Sequence, residues 1–267
     1  MLDYKKNYLI QCIERAQRPL IAYSGGVDSS YLLFMSQRLL GSKAQGIFIS
    51  SPLISAEEIQ SAQNTAKTHQ FALEWMELDP LSQPAVAHNT KERCYHCKKL
   101  LFSAILAYAK AKGFSEVWDG SNWDDRNEYR PGRKAIQELG VSSPLEKAEL
   151  TKTNVRELAR LEGLAIYNKP SKPCLLTRFP YDLPSPITKE QLLRVAEGER
   201  ILSQYLINNY RLRQDGQALD TARIEALEWD LNSILEKREA IVEDLKKLGY
   251  RHIALDLAPY SSGSFDR

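Results

Sequence analysis

PLIAYSGGVDSSYLLFMSQRLLG, residues 19–41, decides the fold. The apolar run at 19–23 predicts a short buried strand, Ser24-Gly25-Gly26 a tight turn, and the stretch from Val27 a helix that stops at Gly41. Where a strand hands over to a helix, two glycines let the backbone approach an anion closely. The first helical amides and the hydroxyls of Ser24, Ser29 and Ser30 then donate to phosphate oxygens. Asp28, an anion beside such a site, makes sense chiefly if a Mg ion bridges it to phosphate. The plain alternative is a strand-to-helix turn with serine as the cap. A strand, two glycines, an acid and two hydroxyls all in register favour a nucleotide.

Working outward, the pattern repeats. The amino-terminal MLDYKKNYLIQCIERAQ has helical spacing, GIFIS at 46–50 reads as a strand, and Ser55 opens a helix with a Ser-x-x-Glu capping box. A strand near 72–78, a helix carrying CYHCKKLLFS from residue 94, and the strand EVWDG at 116–120 follow. Strands alternating with helices predict an α/β architecture, a parallel sheet with helices on both faces. Prolines at 170, 173, 180, 184 and 186 interrupt the chain, which places a boundary there. Beyond it, a helix from Ile187, strands at YRLRQ and ARIEAL, one helix over LNSILEKREAIVEDLKKLGY and a last strand HIALDL make a small α+β unit. We therefore expect a first domain over 1–180 and a second over 181–267.

The 267 residues hold 43% hydrophobic and 26% charged side chains, the balance of an ordinary globular protein. With 36 Lys and Arg against 34 Asp and Glu, the net charge of +2 favours neither nucleic acid nor membrane lipid. No apolar run approaches the roughly 20 residues of a membrane helix. A cytoplasmic protein without signal peptide is the expectation.

Four cysteines, Cys12, Cys94, Cys97 and Cys174, are too few for a disulfide scaffold. Cys12 sits in an amphipathic helical pattern as a small buried thiol. Cys94 and Cys97 open a helix one turn apart, which suits zinc, an iron-sulfur cluster or a redox pair. Cys174, in the rigid proline segment, is the candidate third member. Three thiolates leave one iron of a cluster open to an external sulfide, unlike a closed structural zinc site.

SGGVDSS resembles the loop of the N-type ATP pyrophosphatases and lacks the Gly-Lys-Ser/Thr ending of a P-loop kinase. The resemblance sharpens with CYHCKKLLFS, DGSNWDDRNEYRPGRKA, NKPSKPCLLTRFPY, YRLRQ with ARIE, and GYRHIALDL, in that order along the chain. Together they resemble the LarE family, ATP-dependent sulfur transferases that help build the nickel-pincer nucleotide cofactor of lactate racemase. The resemblance implies an adenine-nucleotide α-hydrolase-like domain and a small α+β domain. It also implies adenylation of a carboxylate of pyridinium-3,5-dicarboxylate mononucleotide, followed by replacement of AMP by sulfur, and a homo-oligomer. Some members sacrifice the sulfur of one cysteine, at the position matching Cys174. Others hold a 4Fe-4S cluster on three cysteines, and the CxxC pair puts this chain with them. The resemblance implies sulfide or a sulfur carrier as partner, with Cys174 itself the alternative source.

The resemblance puts ATP at Ser24, Gly25, Gly26, Asp28, Ser29, Ser30, Lys98 and Gly120, and substrate at Thr177, Arg178, Glu199, Arg211 and Arg213. Arg211 and Arg213 alternate on a predicted strand, which puts two guanidinium forks on one face, as a mononucleotide phosphate needs. On spacing alone, a solvated strand face paired with acids such as Asp215 fits equally. Arg178, four residues after Cys174, is either an anion clamp or a loop-holding ion pair. Lys98 either faces phosphates or lies on a solvated helix face. Asp125, Glu128 and Arg130 follow a strand end, where ligands of such sheets bind, though a polar turn explains them too. His69, His88, His96 and His252 show no ligand spacing. A tRNA thiolation enzyme of the same superfamily would carry a basic surface that this chain lacks. A nucleotide sensor with structural zinc predicts zinc without iron, and an amidating synthetase would need a glutaminase segment.

Overall fold

Leu20 and Ile21 are fully buried in strand β1 (Pro19–Ala22), which sits inside a four-stranded parallel sheet. The computed structural model describes residues 2–126, 131–206, 210–215 and 219–260. The chain divides into two units: Met1–Ser51, Ala56–Val86 and Glu92–Lys172 form the first, and Pro52–Ser55, Ala87–Lys91 and Pro173–Arg267 the second.

The first unit runs α1 (Leu2–Glu14), β1, α2 (Val27–Leu40), β2 (Gln45–Ser50), α3 (Ala56–Thr68) and β3 (Leu73–Glu77). A short α4 (Pro84–Ala87) leads to α5 (Arg93–Lys112), β4 (Glu116–Trp118), α6 (Pro131–Glu138), α7 (Pro144–Lys147) and α8 (Lys152–Leu161). The sheet order is β3-β2-β1-β4, and every pairing is parallel. The chain winds outward from β1 to β3 and then crosses to the far side of β1 for β4. The order therefore reverses between β1 and β4, where open α/β sheets bind ligands beyond their strand ends. The segment after β1 is the SGGVDSS loop.

Alternation along β2 explains how helices cover both faces. Ile47 and Ile49 pack with Phe102, Ile105 and Ala109 of α5 and Ile136 of α6. Gly46 points the other way, where an added Cβ would lie 2.8 Å from Leu33 of α2 and 2.6 Å from Leu73. The inner strands β1 and β2 are thus apolar on both sides, as a covered parallel sheet requires, while the edge strand β3, with Glu74 and Glu77, is partly exposed. Helix α2 stops at Gly41, whose φ of 60° favours glycine.

The second unit contains α9 (Lys189–Leu202), β5 (Arg211–Asp215), β6 (Thr221–Glu225), α10 (Leu231–Glu236), α11 (Arg238–Lys247) and β7 (His252–Leu255). β5 pairs antiparallel with β6, and β6 parallel with β7. Thr188 and Gln191 close a capping box at the start of α9. Gly198 brings that helix onto β5, since a Cβ there would meet Leu212 Cδ2 at 2.3 Å. Leu202, Leu212, Ala222, Ile224, Ile234, Ile241 and Leu245 share one core. The single helix expected over LNSILEKREAIVEDLKKLGY is two, broken at Lys237. Ile234 lies before the break and Ile241 after it, and both reach the same core. Among the described residues, no helix is long and apolar enough to cross a membrane.

Candidate functional site

The loop after β1 is built by its own hydroxyls. Ser29 Oγ lies 3.0 Å from Ser24 Oγ, accepts from Ser24 N at 3.1 Å and donates to Gly26 O at 3.2 Å. Ser30 Oγ donates to the same carbonyl at 2.8 Å. Ser29 and Ser30 are buried, so these hydroxyls shape the loop from within. Gly25 takes a φ of +73°, and a Cβ on it would stand 2.7 Å from that of Ala62. Its glycine is therefore required twice, by conformation and by space. Gly26 caps α2 without any side-chain hydrogen bond, so the first amides of that helix have no side-chain cap.

Asp28, in the first turn of α2, is half-buried, its side chain 15% exposed. One carboxylate oxygen, Oδ2, pairs with Lys152 Nζ, and the other, Oδ1, has no hydrogen-bond partner. Burial pushes the Asp28 carboxyl above the usual carboxylate range; Lys152 pulls it back without cancelling the shift, and Asp125 adds to it. Asp125 is buried nearby, its Oδ2 accepting from Asn122 N at 3.0 Å, while Asp124 Oδ2 accepts from Lys152 N at 2.8 Å. A buried carboxylate oxygen without a hydrogen-bond partner, with a second acid near enough to act on it electrostatically, is donor chemistry that fits Mg, which usually takes one or two carboxylates and completes its shell with phosphate and water. Among the described residues, no three His, Cys, Asp or Glu side chains gather into a metal site.

Gly120 follows β4 and lies against this loop, where a Cβ would come within 3.0 Å of Ser29 N. Its small size serves the approach of the β4 end to α2. Asp119 accepts from Ser121 Oγ and Ser143 Oγ, both at 2.5 Å, and Lys98 Nζ stands 4.0 Å from its Oδ2. Lys98 is half-exposed on α5, one turn after Cys94. Gly132 packs α6 onto that turn, since a Cβ there would be 2.8 Å from Lys98 Cδ and 3.1 Å from Cys94 O. Glu128 and Arg130 lie outside the described residues. All four cysteines are half-buried and none is joined in a disulfide. Cys94 and Cys97 open α5 one turn apart, and three such thiols are the donor chemistry an iron-sulfur cluster takes.

Cys174 belongs to the second unit, where it starts a turn of 3-10 helix over Leu175–Arg178. Thr177 N and Oγ1 both donate to Cys174 O, at 3.1 and 2.9 Å. Arg178, only 2% exposed, forms a two-pronged pair with Glu199 of α9 at 2.7 and 3.1 Å. Arg213 donates to Thr177 O and pairs with Glu225 at 2.9 Å. Arg211 is buried on the same face of β5, bonded to Tyr210 O at 2.6 Å and Tyr260 Oη at 3.1 Å, without a carboxylate partner among the described residues. Burial first, then Arg178 and Arg213, lowers its guanidinium pKa. The structure thus brings Cys174, Thr177, Arg178, Glu199, Arg211 and Arg213 together inside one unit. Asp215, the acid considered as their partner, instead binds Arg223 at 2.6 Å.

Two lysines escaped the sequence reading. Lys152 lies 124 residues from Asp28 and carries no motif beyond the capping box of Thr151 and Asn154. Lys169 bonds Gly25 O at 3.2 Å and Ser61 Oγ at 3.0 Å, and pairs with Glu58 at 2.8 Å.

An uncharacterised protein of Synechocystis sp. is 35% identical over 100% of this chain and 98% of its own length. The pyridinium-3,5-bisthiocarboxylic acid mononucleotide synthase of Lactiplantibacillus plantarum is 33% identical over 98% of this chain and 94% of its own. The chain belongs to the LarE family. An uncharacterised protein of Methanocaldococcus jannaschii, 32% identical over 91% of the chain, extends the similarity to an archaeon. No family model matches. In this LarE-family chain the similarity spans both units, the loop of the first and the arginines of the second.

Proposed function

We propose that the protein is an ATP-dependent sulfur transferase that converts a carboxylate of pyridinium-3,5-dicarboxylate mononucleotide into a thiocarboxylate. The observation that carries this reading is the 33% identity, along nearly the whole chain, to a relative named for the bisthiocarboxylic product. A carboxylate resists nucleophiles because it would have to expel an oxide, so it must first be activated. In the proposed sequence a carboxylate oxygen attacks the α-phosphorus of ATP, and the bond to pyrophosphate breaks. Sulfide then adds to the acyl carbon, the bond to AMP breaks, and the thiocarboxylate remains.

The loop at residues 24–30 holds the phosphates of ATP on the amides that lead into α2. Asp28 offers its orphaned oxygen to Mg, and Lys152, now spent on Asp28, becomes available to phosphate. Arg211 and Arg213, with Arg178 behind them, hold the phosphate of the mononucleotide. Cys94, Cys97 and Cys174 are the proposed ligands of a 4Fe-4S cluster, which when bound supplies an open iron able to carry sulfide. We place the reaction in the cytoplasm, where ATP is the available activator.

The test is incubation of anaerobically purified protein with Mg, ATP, sulfide and the dicarboxylate nucleotide. AMP, pyrophosphate and a product with sulfur in place of oxygen are expected. ADP and phosphate would overturn the pyrophosphatase assignment, and zinc without iron would overturn the cluster.

A further inference from the structure

Lys169 is held in place before it does anything to the loop. Its amide donates to Ile166 O at 3.0 Å, and its carbonyl accepts from Arg156 Nη2 at 2.7 Å. Its φ of −57° and ψ of 126° are the extended geometry that the following Pro170 imposes. From this fixed base the side chain reaches Gly25 O at 3.2 Å, with Ser61 Oγ at 3.0 Å and Glu58 Oε2 at 2.8 Å completing its three donors. Lys172 stands 3.6 Å from the other oxygen of Glu58, so that carboxylate is shared by two lysines.

We infer that Lys169 is a positioning residue of the phosphate loop, one that fixes the orientation of the Gly25–Gly26 peptide so that its N–H faces the nucleotide. A trans peptide points its C=O and N–H in opposite directions. Anchoring Gly25 O on the ammonium therefore turns Gly26 N–H away from Lys169, toward the side where it donates a long 3.4 Å hydrogen bond to Ser24 Oγ, one that an incoming phosphate oxygen can replace. Between two glycines no side chain opposes rotation of that peptide, and apart from Lys169 only the long bond to Ser24 Oγ restrains it. A flip would aim a carbonyl oxygen at the phosphates, replacing attraction by repulsion. The inference rests on the reading of residues 24–30 as the ATP site.

The experiment is calorimetric titration of Lys169→Met and Lys169→Arg with MgATP and, separately, with the mononucleotide. Losing the anchor should weaken ATP binding roughly tenfold or more, the size of one charge-assisted hydrogen bond. Mononucleotide affinity and melting temperature should stay near wild type, and Lys169→Arg, which keeps a cationic donor, should recover most of the ATP affinity. ATP affinity of Lys169→Met within twofold of wild type overturns the inference alone. Parallel loss of ATP and mononucleotide binding, without rescue by arginine, also overturns it, because the role is then structural. A wild-type protein that binds no ATP removes the proposed function and this inference together.

Discussion

The loop of the first unit and the arginine face of the second both keep buried charge, but of opposite sign and by different means. At the loop a half-buried aspartate has one oxygen paired to Lys152 and a second, buried oxygen without a cationic partner, so the site is short of positive charge. On β5 and the turn after Cys174, Arg178 pairs with Glu199 and Arg213 with Glu225, which also serves Arg223 at 2.8 Å, while Arg211 has no carboxylate partner among the described residues. That face is short of negative charge. Leaving buried charge uncompensated costs stability, so each imbalance is most simply understood as space reserved for a ligand. The first imbalance calls for a cation that brings phosphate with it, and the second for an anion alone. On the proposed function, the first unit would carry the activation and the second the recognition of the molecule activated.

The comparison breaks most sharply at Asp28. Asp28→Ala should abolish AMP and pyrophosphate formation while mononucleotide binding persists, measured by product analysis and calorimetry. Equal loss of both would mean that the aspartate supports the fold as a whole.

Of the cysteines proposed for sulfur chemistry, Cys94 and Cys97 belong to the first unit and Cys174 to the second. Each of Cys94→Ala, Cys97→Ala and Cys174→Ala should remove cluster iron and sulfur transfer, while AMP formation continues. Intact-mass measurement after one turnover decides the donor. A protein lighter by the mass of one hydrogen sulfide, with dehydroalanine at residue 174 and an active Cys94→Ala variant, would make Cys174 the sulfur source and the CxxC pair accessory.

Next in size are the arginines. Arg211→Gln and Arg213→Gln should each weaken mononucleotide binding by about 1.5 to 3 kcal/mol, roughly ten- to hundredfold, with ATP affinity unchanged. Arg211→Gln should leave the melting temperature nearly as it is, because Arg211 has no carboxylate partner among the described residues to strand. Arg213→Gln should lower it, since Glu225 loses one of its two arginines.

What was legible in the sequence was local. The strand, Gly25 and Gly26, and the helix stopping at Gly41 are read from neighbouring residues, and the strand and helix alternation gave the parallel sheet. The alternation of Arg211 and Arg213 about Leu212 likewise follows from strand geometry. What escaped is long-range. Lys152 and Lys169 meet the loop across 124 and 144 residues, and a lone lysine after a cap or before a proline carries no spacing signal. Residues 52–55 and 87–91 join the second unit through backbone bonds, Leu175 N to Leu53 O at 3.0 Å and Leu183 N to His88 O at 3.0 Å. No side-chain pattern announces such pairings. The break at Lys237 escaped for a related reason, because the apolar spacing of LNSILEKREAIVEDL continues through it.

The smallest expected effect tests whether the half-buried Asp28 is kept against the interests of the fold. Burial outweighs Lys152 and leaves the folded Asp28 carboxyl above its ordinary range. The folded state therefore binds that proton more tightly than the unfolded chain does. As pH rises from the usual aspartate range through the raised folded value, this group's contribution falls, and at neutral pH the ionised carboxylate costs stability. Asp28→Asn removes that charge and keeps the shape, and it frees only Lys152, whose side chain is 32% exposed and can turn to water. The variant should melt at or slightly above the wild-type temperature at pH 7, and the difference should shrink toward pH 4, while AMP formation is lost. Differential scanning calorimetry across that pH range is the measurement. A variant that melts well below wild type at pH 7 would show that the pair with Lys152 holds the fold together, and the contrast with the arginine face would then rest on the second unit alone.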